Sequence, residues 1–283
     1  MLDNIPITVL ITVYNCSNYI KSSITSILNQ SYKNYELLII DDGSEDDIDG
    51  IIKSINNDKI RFLRQKHKGR SAALNYGLNV AKYDWVALMD ADDIAVPERL
   101  EKEVKLINIK DNDIIFSDSA YFRNKKIKFL NVINTDKEDL IRKIEFRGHI
   151  CNSSVLYNRN YILANGGYNE NLNHSEDFEL WLRLLHKANF IHLNEILIFM
   201  RIRDHSLSTK AAEGSIKKVS VFSGINEPMS EKSLGLLNSF REYFYRRKIK
   251  LKVKYFLWKI WHYNKHLILT KKLEYLDRIR LVS

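Results

Sequence analysis

Cysteine is nearly absent from this chain of 283 residues, where only Cys16 and Cys151 occur. Two thiols supply neither a disulfide framework nor a zinc cluster, and they suit a reducing cytosol. Proline is as scarce, with Pro6, Pro97 and Pro228 alone, and no stretch reads as a low-complexity linker. No apolar run approaches the roughly 20 residues of a membrane span. The opening MLDNIPI lacks the basic region and apolar core of a secretory leader. Internal repeats are missing too. What remains, with hydrophobic residues at 45%, is the composition of a globular protein. The length suits one large α/β domain, or one domain with an appendage.

Acidic charge is missing from one end. Residues 241–283 hold 13 Lys/Arg against 3 Asp/Glu, a net +10 of the chain's +9, which leaves −1 for residues 1–240. The basic character belongs to the tail.

The centre of the chain is Tyr83–Asp93, YDWVALMDADD. Trp85–Met89 is an apolar run of buried-strand length, and it ends abruptly in Asp90, Asp92 and Asp93. Two such charges about 4 Å apart repel by roughly 4 kcal/mol at an effective dielectric near 20. A divalent cation with oxygen ligands is the natural counter-charge, and open α/β sheets bind ligands beyond the carboxyl ends of their strands. The plain alternative is a solvated turn capping the helix that starts near Pro97.

Around this centre the pattern predicts βαβ units and a parallel sheet. Strands are expected at Ile7–Val13, Tyr35–Ile40, Ile60–Leu63 and Asp113–Ser117. Helices are expected after Ser17 or Asn18, over Ile48–Ile55, after Gly69-Arg70-Ser71, and from Pro97 through Leu100, Val104 and Ile107. Residues 119–147 are polar and give no clear pattern. Ser153–Tyr157, Phe190–Leu193 and Ile196–Ile202 read as three further strands. Glu176-Asp177 opens a helix whose Leu180, Trp181, Leu184 and Leu185 face inward. Arg201 and Arg203 are expected to send at most one side chain to a site there. From Leu236 onward no Gly or Pro occurs, which predicts helices, although Ile249, Leu251, Val253 and Tyr255 alternate with lysines at strand period.

Thr12-Val13-Tyr14-Asn15, LLIIDDGS (37–44), GRSAALNYGL (69–78), LMDADD (88–93) and SEDFELWLR (175–183) occur in that order. Together they resemble the family 2 glycosyltransferases of the GT-A fold, from about residue 6 to about 208. The resemblance implies a Rossmann-like, mostly parallel sheet flanked by helices, and an inverting, nucleotide-sugar-dependent transferase. It implies that Thr12, Val13, Tyr14 and Asn15 lie at the base of the nucleotide. Asp41 would accept from a uracil imide N–H, so the donor would be a UDP-sugar, or a dTDP-sugar. Arg70 would reach the base or the diphosphate with its planar fork. Asp90, with Ala91 beside it, would lie near the ribose and the metal, with Asp92 as a direct ligand of Mn²⁺ or Mg²⁺. His205 would join the metal, and a lone surface His is the alternative. Asp177 would be the general base, taking the proton of the acceptor hydroxyl; its helix N-terminus lowers its pKa and burial raises it. Glu176, His174 and Trp181 are the candidates for acceptor contact. Asn75 reads as a loop brace.

These expectations divide the chain into a catalytic domain at 1–208, with a nucleotide-sugar half to about 118 and an acceptor half at 119–208, and a helical region at 209–283. In the tail, Phe240, Tyr243, Phe244, Tyr255, Trp258 and Trp261 sit among Lys and Arg. A basic, aromatic helix suits an anionic lipid surface, and lipid-linked saccharide acceptors at the inner face of the cell membrane fit that. The alternative is packing on the catalytic domain or between copies. Nucleic acid would give the same composition, but no nucleic-acid motif is present. Two other functions stay open: a nucleotidyltransferase of similar architecture, and a non-catalytic saccharide- or membrane-binding module.

Overall fold

Ile7–Val13 is buried along its whole length, and its β-branched residues form strand β1 at the centre of the molecule. A computed structural model describes residues 4–107, 111–124, 126–132, 150–172 and 175–203. They fall within one compact unit, Met1–Ser215. β1 pairs in parallel with β2 (Tyr35–Asp41) on one side and β4 (Trp85–Asp90) on the other, and β3 (Ile60–Arg64) extends the sheet beyond β2. Alternate β1 residues divide two cores: Val9, Ile11 and Val13 face one, Leu10 the other. Helices α1 (Ser17–Leu28) and α2 (Ile48–Ile55) bury Ile20, Ile24, Ile27, Ile48 and Ile52 in the first core. Helix α3 (Arg70–Val80) buries Ala73, Leu74 and Leu78 in the second. A Cβ at Gly77 would meet Leu10 Cδ1 at 2.5 Å, so this glycine lets α3 lie directly on β1. Each fully buried Ile or Leu contributes roughly 1.5–3 kcal/mol relative to exposure.

The chain runs outward from β1 through β2 to β3, then returns to place β4 on the opposite side of β1. The crevice at that reversal, beyond the strands' carboxyl ends, is where such sheets take ligands. In register, Val13 lies opposite Asp41 and Thr12 opposite Asp90, so the three strands end at one level. Two-residue β5 (Ile94–Ala95) follows, then α4 (Arg99–Val104). Arg99 and Glu103 are wholly buried at 2.8 Å, and Arg99 also donates to the Leu88 carbonyl at 2.9 Å, which fixes the end of β4 from beneath.

The remaining sheet is mixed, with the order β4-β8-β6-β9-β5. β6 (Asp113–Arg123) runs well past the predicted Ser117 and turns into β7 (Lys126–Asn131), a hairpin within the stretch that gave no sequence pattern. β8 is only Leu156–Asn158, not Ser153–Tyr157. Asn152–Ser154 instead forms a 3₁₀ turn, because Ser154 Oγ donates to the Cys151 carbonyl at 2.8 Å and takes the Ser117 N–H at 3.3 Å. α5 (Arg159–Ala164) and α6 (Glu176–Leu184) follow. β9 (Asn189–Arg201) is one strand where two were expected, its break absorbed by register shifts around Asp118 on β6. Among the described residues no helix is long and apolar enough to cross a membrane. The helices expected in the tail, the boundary at 208/209, His174 and His205 lie outside the described residues.

Candidate active site

Past the carboxyl ends of β1, β2 and β4 lies a cavity of about 370 Å³. Thr12, Val13, Tyr14, Arg70, Asp90, Ala91 and Asp92 line it. Tyr14 is 43% exposed, and one face of its ring stacks on His67 with centroids 4.0 Å apart. Asn15 does not line the cavity. Its left-handed backbone, φ 50°, lets its N–H donate to Ser44 Oγ while its Oδ1 accepts from Glu45 N, which ties β1 to the loop after β2.

Asp41 departs from expectation. It is wholly buried, accepts from Ser44 N at 2.9 Å and lies 3.4 Å from Arg64 Nε, so it presents nothing to a base. The carboxylate in the cavity wall is Asp42. Asp42 accepts from Gln65 Nε2 and from Lys68 N and Gly69 N, and lies 2.8 Å from His67 Nδ1. Gly69 has φ +95°, which a side chain would oppose, and this opens the start of α3. Asp42 thus shapes the loop that delivers Arg70.

Arg70 bridges two carboxylates, with Nη2 2.5 Å from Asp90 Oδ1 and Nε 2.6 Å from Glu176 Oε1. Burial opposes its charge, but Asp90 and Glu176 outweigh that and hold it protonated. The nucleotide motif and the first turn of α6 are therefore joined through one guanidinium. Glu176 is buried in this pair, which makes it a brace rather than an acceptor contact. Asp177 follows on α6, its Oδ1 accepting from Phe178 N at 2.7 Å. Burial, then the Glu176 carboxylate, push Asp177 up to about 7, with Arg70 pulling against them. Burial outweighs the helix N-terminus here. Trp181 is fully buried among Tyr157, Phe190 and the second core, so no part of its ring is left for an acceptor. Its inward position on α6 accounts for that. Asn75 acts as the expected brace: its amide donates to the Tyr168 carbonyl and its Oδ1 accepts from Tyr168 N.

At the turn after β4, Asp90, Asp92 and Asp93 each offer a carboxylate oxygen, and these lie within 4.8 Å of one another. Burial and the neighbouring carboxylates raise Asp92 and Asp93 above the ordinary carboxylate range. Such a set of hard oxygen donors fits Mg²⁺ or Mn²⁺. Asp93 has a second duty: it accepts from Ser153 Oγ at 2.6 Å and from Arg201 N at 2.9 Å. Both late arginines reach this turn, against the expectation of one at most. Arg201 ends β9 and Arg203 lies two residues beyond it. Arg201 Nε donates to the Asp92 carbonyl at 2.9 Å, and Arg203 Nε lies 2.6 Å from Asp92 Oδ2. Asp42, His67 and Ser153 were missed because each acquires its place from partners distant in sequence.

The model of glycosyl transferase family 2 matches residues 8–166. The O-antigen biosynthesis glycosyltransferase WbnJ of Escherichia coli is 30% identical over 214 residues, 72% of this chain and 83% of its own length. WfaP of Escherichia coli, a UDP-Glc:α-D-GlcNAc-diphosphoundecaprenol β-1,3-glucosyltransferase, is 27% identical over 222 residues, 77% of this chain and 86% of its own. The chain spans only 34% of the length of an uncharacterized glycosyltransferase of Rickettsia felis to which it is 32% identical. Among solved structures, that of S. aureus TarS 1-349 in complex with UDP-GlcNAc has a TM-score of 0.64 at 17% identity, covering 88% of this chain and 77% of that one. That likeness bears out the GT-A fold, and the matched residues, which run from β1 past α5, make this chain a member of glycosyl transferase family 2.

Proposed function

We propose that this chain is an inverting glycosyltransferase that moves a sugar from a UDP-sugar, or a dTDP-sugar, to a saccharide acceptor carried on a lipid, in cell-surface polysaccharide synthesis. One observation carries the reading: Arg70 joins the Asp-rich turn to the helix start that holds Asp177, beside a cavity that Tyr14 helps to line. WfaP, a UDP-Glc- and diphosphoundecaprenol-dependent relative, supports the donor and acceptor classes. Asp90 and Asp92 would hold Mn²⁺ or Mg²⁺, which supplies charge neutralisation for a departing diphosphate. The nucleotide base stacks on the open face of Tyr14. Asp177 takes the proton of the acceptor hydroxyl, and a value near 7 suits a base working at neutral pH. Residues to about 118 form the donor half, 119–208 the acceptor half, and 209–283 a basic region at the cytoplasmic membrane face.

A thermal-shift panel of nucleoside diphosphates and nucleotide sugars with Mn²⁺ tests the donor class. Uridine or thymidine diphosphates are expected to stabilise the protein more than guanosine diphosphate, and the reverse order overturns the assignment. In turnover assays, release of pyrophosphate instead of a nucleoside diphosphate would identify a nucleotidyltransferase. Saccharide binding without transfer would identify a binding module.

The tail is tested separately. Deleting residues 241–283 removes a net +10. Co-sedimentation with vesicles containing anionic lipid is expected to fall sharply, and in the intact chain to weaken steeply with salt, because screening acts over about 10 Å at 0.1 M. Equal sedimentation of both proteins would assign the tail to packing.

A further inference from the structure

We propose that Arg203 is a resident counter-ion for Asp92, and that a divalent cation displaces it efficiently only when an anionic nucleotide arrives to receive it. The inference rests on the donor-site reading above and adds the order of events within it. Arg203 Nε lies 2.6 Å from Asp92 Oδ2, and Asp92 is its one charged partner among the described residues. Its other neighbours hold it weakly: Nη1 is 3.8 Å from Cys16 Sγ, and the guanidinium stands 5.7 Å from the centre of the Tyr19 ring. Arg201 is different. It is built into the turn through the Asp92 carbonyl, Ser22 Oγ and the Asp93 carboxylate, and it closes on the rings of Tyr19 and Phe122. Arg70 is tied on both sides, to Asp90 and Glu176. Of the three arginines at the turn among the described residues, Arg203 alone can leave by giving up a single ion pair.

A divalent cation and this guanidinium compete for the same oxygen. A divalent cation seated on Asp92 repels a guanidinium held on the same carboxylate. Cation binding alone must therefore leave Arg203 without an anion in a partly buried place. A diphosphate removes that obstacle, since its oxygens match the planar fork of a guanidinium. The result is a positive coupling between cation and nucleotide, and it is reciprocal.

Electron paramagnetic resonance of free Mn²⁺ reads the cation affinity directly, without turnover. It is measured for the intact chain, Arg203→Met and Arg203→Lys, each with and without saturating UDP, after circular dichroism has established folding. In the wild type, UDP is expected to tighten Mn²⁺ by at least about tenfold. Arg203→Met is expected to tighten Mn²⁺ alone by about tenfold and to shrink the UDP effect by a similar factor. Arg203→Lys keeps the charge and is expected to stay near the wild type. If Arg203→Met does not fold, Arg203→Gln replaces it with the same expectation. Unchanged or weaker binding of Mn²⁺ alone in the neutral variant, with UDP-dependent Mn²⁺ binding intact, overturns the counter-ion proposal only. Absence of Mn²⁺ binding in every protein, with or without UDP, overturns the donor-site reading and this proposal together.

Discussion

Asp92→Asn is expected to abolish cation-dependent nucleotide binding and to lower sugar transfer by about 10³-fold, since charge neutralisation by a bound metal contributes several kcal/mol and each 1.4 kcal/mol is tenfold. The substitution preserves shape but removes the charge that both a cation and Arg203 require. Three carboxylates within 4.8 Å of one another become two, and Asp93 is committed to Ser153 Oγ and Arg201 N. Asp90, the other carboxylate of the group, is shared with Arg70. A chelator is expected to produce the same loss in the wild type, reversed by Mn²⁺ or Mg²⁺. Full transfer in the presence of chelator would remove the metal from the mechanism.

The second large effect concerns Asp177. Asp177→Asn keeps the size and the contact to Phe178 N but cannot accept a proton, and loss of a general base costs about 10²–10⁴ in rate. Donor affinity is expected to change little. With Asp177 as the proposed base, wild-type kcat/KM should rise with pH through about 7 and then level off, because a base works in its ionised form and burial beside Glu176 raises this group to about 7. Stability moves the other way. A carboxylate raised from 3.8 to about 7 on folding favours the folded state at low pH, and that contribution is lost as pH climbs from about 4 to 7. Asp177→Asn should therefore melt higher than the wild type above pH 7, by about 2–4 °C for each kcal/mol relieved. A variant within a few-fold of wild-type activity, or a product that retains the donor's anomeric configuration, would end the general-base assignment.

The parallel half of the fold was legible because its signals are local. β1, β2, α2 and α3 fall within a residue or so of where periodicity puts them, since an apolar β-branched run or a helical stripe reports its own burial. The mixed half was less legible. β6 continues to Arg123 because β7 and β9 cover it, and nothing within 119–123 announces those partners. The same distinction runs through the site. Tyr14, Arg70, Asp90 and Asp92 sit at strand ends or at a helix start and could be placed from the chain alone. Asp41 and Asp42 could not be told apart, because the direction of a side chain after the last strand residue depends on the loop at 65–69 that closes over it. Glu176 is taken by Arg70, more than a hundred residues earlier, and nothing near Glu176 in the sequence announces that partner. Trp181 carries a large aromatic surface, and the sequence does not say that Tyr157 and Phe190 have already covered it.

Asp93 sets a limit on how this chain can be re-engineered. Its two oxygens fasten the β4 turn to the 3₁₀ turn at Ser153 and to the end of β9 at Arg201. A chimera that exchanged residues 119–203 for those of a relative with another acceptor would cut through both attachments. To keep the turn in shape, the graft must bring a hydroxyl where Ser153 stands and an exposed backbone N–H where Arg201 ends its strand. The boundary at which residues 119–203 could be exchanged thus falls between atoms of one carboxylate, and that segment can be transplanted only together with its anchorage.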